Sequence, residues 1–149
     1  MSGTNGKTFV DTNILIYAYD VDAGAKHTTA KALLKALWLS RDGVISTQVL
    51  QEFYVNATRK IRTPLPKAVA RSVIADYVPW CLDPTTPADI TSAFALEDAA
   101  QISFWDALII AVAARGGAMR IVSEDLNSGQ AIGGVTIENP FADNHRLPA

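Results

Sequence analysis

The chain has 149 residues, enough for one domain with a sizeable core, and its 49% hydrophobic and 19% charged residues make a globular rather than a disordered composition. Lys plus Arg number 13 and Asp plus Glu 15, a net charge of −2, so bulk charge does not hold the chain to nucleic acid and any such partner needs a local basic patch. Cys81 is the only cysteine, which rules out an intrachain disulfide and fits a reducing cytoplasm, and no apolar run reaches the roughly 18 residues of a membrane-spanning helix.

The opening MSGTNGK has no hydrophobic signal region, so a cytoplasmic location is expected. A β-like run, Thr8-Phe9-Val10, stops at Asp11, and Thr12, Asn13 and an apolar stretch follow, which predicts a helix over 13–19. Asp11 is either the cap of that helix or a carboxylate in the crevice at the end of a buried strand. Residues 25–39 form a clearer helix, with Ala30, Leu33, Leu34, Leu37 and Trp38 at helical spacing and Lys31 and Lys35 between them. Asp42-Gly43 turns the chain into a second strand, Val44-Ile45-Ser46, and a helix over about 47–60 that Pro64 and Pro66 bring to an end. A helix over 67–77 leads to a third strand, Trp80-Cys81-Leu82, closed by Asp83-Pro84; Cys81 reads as core rather than nucleophile. Pro87 suits the first position of a helix reaching about residue 100. A helix over 103–115 ends at Gly116-Gly117. A fourth strand over 119–123, a loop over 127–134 and a fifth strand, Val135-Thr136-Ile137, complete the pattern. No repeat or linker divides the chain, so residues 1–149 read as one domain with its core at about 8–141.

Strands separated by helices predict an α/β fold, a parallel sheet between helices on both faces. In that arrangement strand carboxyl ends and the amino ends of the following helices share one edge. Asp11, Glu52 and Asp125 follow the first, second and fourth strands, and Asp106 heads the helix before the fourth. Each has a plainer role available. Asp11 can cap a helix, Glu52 can be a solvated helix residue and Asp125 can close an Asx turn. Asp106 can complete a capping box with Ser103. Asp106 is the only charge in FWDALIIAVAA, a stretch apolar enough to be buried on every side. Alternation puts Ser123 and Asp125 on one side of the fourth strand and Glu124 on the other, which favours Asp125 as the functional acid. Four converging carboxylates repel one another unless a cation joins them. Mg²⁺ wants such oxygen ligands, and a site of this kind activates water and stabilises phosphoryl displacement. His27 and His145 are the only histidines, and neither a Gly-rich phosphate loop nor a Cys/His metal pattern is present.

The segments FVDTNILIYAYD, ISTQVLQEFYVNATRK, ISFWDALIIAVAARGGA, IVSEDLNSGQ and IENPF, in that order, cover nearly the whole chain. Together they resemble a PIN-domain protein, more narrowly a VapC-type toxin ribonuclease of a bacterial or archaeal toxin–antitoxin pair. The resemblance implies a three-layer α/β/α fold with a central five-stranded parallel sheet. It implies a metal-dependent endoribonuclease in which Asp11, Glu52, Asp106 and Asp125 form the acidic site. Asp11 and Asp106 would hold Mg²⁺ or Mn²⁺ directly, and Thr12, Asn13 and Ser123 would orient the acids. Metal-activated water would cut RNA to leave a 5′-phosphate and a 3′-hydroxyl. A homodimer, and a small antitoxin whose tail blocks the acidic groove, are also implied. Arg59, Lys60 and Arg62, with Lys67 and Arg71, either meet RNA phosphates or form a solvated helix end. The stretch Ile14 to Tyr19 is either core or partly turned to a partner. Two other classes stay open: a catalytically inactive RNA- or protein-binding module on the same fold, and a phosphohydrolase forming an aspartyl-phosphate on Asp11.

Overall fold

Thr8, Phe9 and Val10 lie in the strand β1 (Lys7–Val10), and all three are buried. Successive strand residues point to opposite faces, so burial of both Phe9 and Val10 means that both faces of the sheet are covered here. This computed structural model describes residues 6–126 and 128–142. Residues 1–5, Asn127 and His145 lie outside the described residues. The other strands are β2 (Gly43–Val44), β3 (Ala118–Val122), β4 (Ala131–Ile132) and β5 (Val135–Glu138), in the spatial order β2-β1-β3-β5-β4. The pairs of β1 with β2, β1 with β3 and β3 with β5 are parallel; β4 with β5 is antiparallel.

The count of five strands therefore agrees with expectation, but one strand and its direction do not. Trp80-Cys81-Leu82 is not a strand: Val78–Trp80 is a single 3-10 turn containing Pro79, and only Cys81 pairs, once, with Ile45. Proline offers no N–H to a ladder and fixes a φ suited to turns. The fifth strand comes instead from the expected loop. Ala131–Ile132 turns back on β5 through Gly133 and Gly134, at φ values of 60° and 82°. Two positive φ angles in succession make the tight hairpin turn that two glycines accept without strain.

The helices are α1 (Thr12–Tyr19), α2 (Ala25–Ser40), α3 (Thr47–Arg59), α4 (Lys67–Tyr77), α5 (Pro87–Ala100) and α6 (Phe104–Arg115). Their spans follow the apolar periodicity closely. Leu33, Leu34 and Leu37 of α2 are buried while Lys31 and Lys35 are exposed. In α1, Ile14, Leu15 and Ala18 are buried and Tyr17 and Tyr19 pack against the core, so this stretch is core. Helix α6 is buried from Ala107 to Ala113 apart from half-buried Ile109, but its amino end is not: Trp105 is 66% exposed. Cys81 is half-buried, and desolvation raises its thiol pKa, which suits an inert packing residue.

One polar fixture joins α5 to α6. Thr86 and Asp89 make a reciprocal capping box at the start of α5. Arg115, the last residue of α6, donates to both oxygens of the same carboxylate, at 2.9 and 2.8 Å. The Arg115 hydrogen bond holds Asp89 below the usual carboxylate range, against the opposing effect of burial. Its contribution to stability is present above the ordinary carboxylate pKa and is lost as pH falls through the lowered one. Asp89→Ala removes the return half of the capping box and the ion pair together and is expected to cost about 2 kcal/mol at neutral pH. Denaturant melts of both proteins at pH 7 and at about pH 3 test this, with the gap narrowing at the acid end. An equal gap at both pH values contradicts the assignment.

Candidate acidic site at the carboxyl edge of the sheet

The spatial order places β2 on one side of β1 and β3 on the other, so the chain's connections part between β1 and β3. In open α/β sheets the crevice beyond the strand ends at such a point is where ligands bind. Asp11 stands at that point. Its N–H donates to Val122 O at 3.1 Å, carrying the β1–β3 ladder one residue beyond the strand. Its side chain then begins α1: Oδ1 accepts from the Thr12 N–H at 2.8 Å, and Oδ2 accepts from Ser123 Oγ at 2.7 Å. The capping role is thus real but uses only one oxygen. Asp11 is 8% exposed. Burial pushes its pKa up, the bonds from Ser123 and Thr12 pull it down, and the charges of Asp125 and Glu52 push it up again.

Ser123 is fully buried and organises the next three residues. Besides donating to Asp11, its Oγ accepts from the N–H groups of Asp125 and Leu126, at 3.1 and 3.3 Å. Asn13 uses both ends of its amide on the same turn. Its Nδ2 donates to Asp125 Oδ2 at 2.9 Å, and its Oδ1 accepts from the Glu124 N–H at 3.2 Å. Glu52 is exposed on α3 and accepts from Thr12 Oγ1 at 3.5 Å, the long limit of a hydrogen bond. Thr12, Asn13 and Ser123 therefore each touch an acid. Asp11, Glu52 and Asp125 are brought together.

Asp106 stands apart from that group. It is half-buried in the first turn of α6, where its N–H donates to Ser103 Oγ at 3.1 Å. Among the described residues its carboxylate makes no return bond to Ser103, unlike the complete box of Thr86 and Asp89, and no bond to the other three acids. Gly116-Gly117 returns the chain directly from α6 into β3, so α6 runs back beside that strand. Twelve helical residues span about 18 Å and five strand residues about 16 Å, which carries Asp106 level with the carboxyl end of β3.

Among the described residues no three His, Cys, Asp or Glu side chains close into a metal-holding cluster. The donor chemistry nevertheless fits a hard divalent cation. Mg²⁺ takes one or two carboxylates and fills the rest of its shell with water and substrate oxygens, so it needs no three-residue cage. The mutual repulsion felt at Asp11 is the kind that a cation relieves.

Arg59, Lys60, Arg62, Lys67 and Arg71 are all exposed around the carboxyl end of α3 and the start of α4. Arg59 lies about 10 Å further along the α3 axis than Glu52. The Arg71 guanidinium sits 5.8 Å from the Tyr54 ring centre.

Strand alternation sets Glu124 aside as the functional acid in favour of Asp125. The structure holds Glu124 from two helices: Tyr17 of α1 donates to it at 2.6 Å, and Lys26 of α2 forms an ion pair with it. No local pattern announces that network.

A model of the PIN domain family matches residues 8–130. No curated protein matches the sequence. Among solved structures, a toxin-antitoxin complex from Klebsiella pneumoniae is 22% identical with a TM-score of 0.62, covering 91% of this chain and 98% of that one. Mycobacterium tuberculosis VapC20, a toxin that cleaves the sarcin-ricin loop, is 23% identical with a TM-score of 0.53, covering 77% and 87%. VapBC2 from Rickettsia felis, bound to a DNA fragment from its promoter, is 19% identical with a TM-score of 0.55, covering 89% and 97%. At these identities the likeness is one of fold.

Proposed function

The chain belongs to the PIN domain family, and on that premise we propose that it is a metal-dependent endoribonuclease, the toxin of a toxin–antitoxin pair. The observation that carries this reading is the buried Asp11 carboxylate at the β1–β3 parting, coupled electrostatically to Asp125 and Glu52. Asp11 and Asp106 would hold Mg²⁺ or Mn²⁺, with Glu52 and Asp125 completing the site, and the bound ion would supply an activated water and neutralise charge at the phosphorus.

The chain's own residues prepare that site. Ser123 Oγ–H and the Thr12 N–H fix both oxygens of Asp11 in one orientation and favour its ionised form against burial. Asn13 fixes Asp125, whose remaining oxygen stays free of side-chain partners among the described residues. Asp11-Thr12-Asn13 carries no second acid two residues after Asp11, as the common aspartyl-phosphatase motif does, which counts against a covalent aspartyl-phosphate. The solved toxin-antitoxin assemblies named above support an antitoxin partner, as expected from the sequence. Its tail would present Arg or Lys to the acids, because such a cation pairs with carboxylates as the metal does.

The test is a cleavage assay on single-stranded RNA with the purified chain. Cleavage should stop in EDTA, return on adding Mg²⁺ or Mn²⁺, and yield 5′-phosphate ends. Cleavage that persists in EDTA would overturn the metal-dependent reading. The substrate path has its own expected result. Replacing Arg59, Lys60 and Arg62 together with Ala should weaken RNA binding and flatten its salt dependence. An unchanged salt slope in a binding titration removes those residues from the path.

A further inference from the structure

We propose that Glu124, Tyr17 and Lys26 form a clamp that positions Asp125, so that the acid at the end of β3 is held from α1 and α2 as well as by its own loop. The inference rests on the nuclease reading of the site and adds three residues to it. The Tyr17 hydroxyl donates to Glu124 Oε1 at 2.6 Å, and the Lys26 ammonium pairs with Oε2. Both oxygens of Glu124 are thus engaged, each from a different helix. Burial works to raise the Glu124 pKa, and the Lys26 and Tyr17 hydrogen bonds outweigh it, so the side chain stays ionised.

The clamp is itself supported. Lys26 Nζ lies 5.1 Å from the Tyr17 ring centre and 5.7 Å from that of Phe141. Phe141 meets Tyr17 edge to face at 5.3 Å. The Tyr17 carbonyl is bonded to His27 Nδ1 at 2.9 Å, which ties α1 to α2 beside the clamp.

The link to Asp125 runs through α1. Asn13 and Tyr17 are four residues apart and share one helix face. Asn13 bonds the Glu124 N–H and the Asp125 carboxylate; Tyr17 bonds the Glu124 carboxylate. One face of α1 therefore grips two consecutive residues at three points, while Ser123 holds the Asp125 N–H from below. Asp125 itself is exposed, and among the described residues Asn13 is the one side chain that bonds its carboxylate. Lys26 also offsets a fifth negative charge that would otherwise stand beside the acids. Partners that orient an acid without touching the reacting atoms typically contribute 10–100-fold to metal affinity or activity.

The experiment compares the parent, Tyr17→Phe/Lys26→Met, Lys26→Arg and Asp125→Asn. The readouts are kcat and KM for RNA cleavage, and the Mg²⁺ concentration giving half of the maximal thermal stabilisation. In the double variant kcat should fall, and the Mg²⁺ requirement rise, by about tenfold with KM little changed. Lys26→Arg, which keeps the charge and the donors, should stay near the parent. Added to Asp125→Asn, the double substitution should raise the Mg²⁺ requirement no further, because the residue it positions is already gone. A double variant that melts lower but keeps the parent's kcat and Mg²⁺ requirement overturns the clamp and leaves a merely structural network. A further rise in the Asp125→Asn background also overturns it. If Asp125→Asn cleaves as well as the parent, the acidic-site reading falls, and the clamp with it. If Asp125→Asn is inactive and the double variant keeps the parent's kcat and Mg²⁺ requirement, only the clamp falls.

Discussion

Asp106→Asn should cut RNA cleavage to background and leave the metal-free protein as stable as the parent or slightly more so. Two roles compete for this residue, and they make opposite demands. If the carboxylate served the helix end, replacing it with Ala should cost about 0.5–2 kcal/mol and Asn much less. The structure weakens that role. Ser103 caps α6 by accepting from the Asp106 N–H, and the Asp106 carboxylate makes no return bond among the described residues. A carboxylate at a helix amino end with no partner of its own is available to a cation. Asn keeps its shape, keeps the N–H that Ser103 accepts, and removes one negative charge from the acidic edge. Mg²⁺ at a hundredfold excess over its dissociation constant should stabilise the parent by about 2.7 kcal/mol, and the variant far less. Paired melting curves with and without Mg²⁺, beside one cleavage assay, decide it. Normal cleavage and an undiminished Mg²⁺ effect in Asp106→Asn would remove the residue from the site.

Asp11→Asn should also abolish cleavage, and it carries a pH signature of its own. Burial raises the Asp11 pKa in the folded chain above its ordinary value, despite the donors from Ser123 and Thr12. A carboxyl with a raised folded pKa contributes stability while protonated, and that stability drains away as pH rises from the ordinary value of about 4 through the raised one. The metal-free parent should therefore lose ground to Asp11→Asn across that window. Below it the protonated Asp11 carboxyl and the Asn amide are both neutral, and the difference should level off. Titrating groups remote from Asp11 are common to both proteins and cancel in the difference. Melting temperatures in EDTA from about pH 3.5 to pH 8 give the comparison. A difference that stays flat across that range would mean that Asp11 is not the desolvated group described here. Mg²⁺ should restore the parent at neutral pH and do little for the variant.

Much of the fold is legible in the residue order because its determinants are local. Ala30, Leu33, Leu34 and Leu37 recur at helical spacing, and a helix burying that face follows wherever it packs. Pro64 and Pro66 end one helix and Gly116-Gly117 another for reasons internal to the backbone. The hairpin of β4 and β5 is equally local, since Gly133-Gly134 between Ile132 and Val135 is a turn signature. Thr86 with Asp89 was a legible capping box in the same way.

The residue order by itself determined the six helices, the membership of a fold family, and which acids stand at the ends of strands and the heads of helices. Tertiary structure alone decided what those acids touch. Ser123 reaches Asp11 across 112 residues and Lys26 reaches Glu124 across 98, and no local periodicity encodes a pairing at that distance. It also decided that Glu124, set aside on strand alternation, is pinned by two helices, and that Trp80-Cys81-Leu82 gives the sheet one pairing instead of a strand. The physical reason is the same in each case. Backbone preference and apolar spacing act within a turn or two of the chain, whereas the pairing of a charge or the joining of a strand depends on which distant segment the packed core brings beside it.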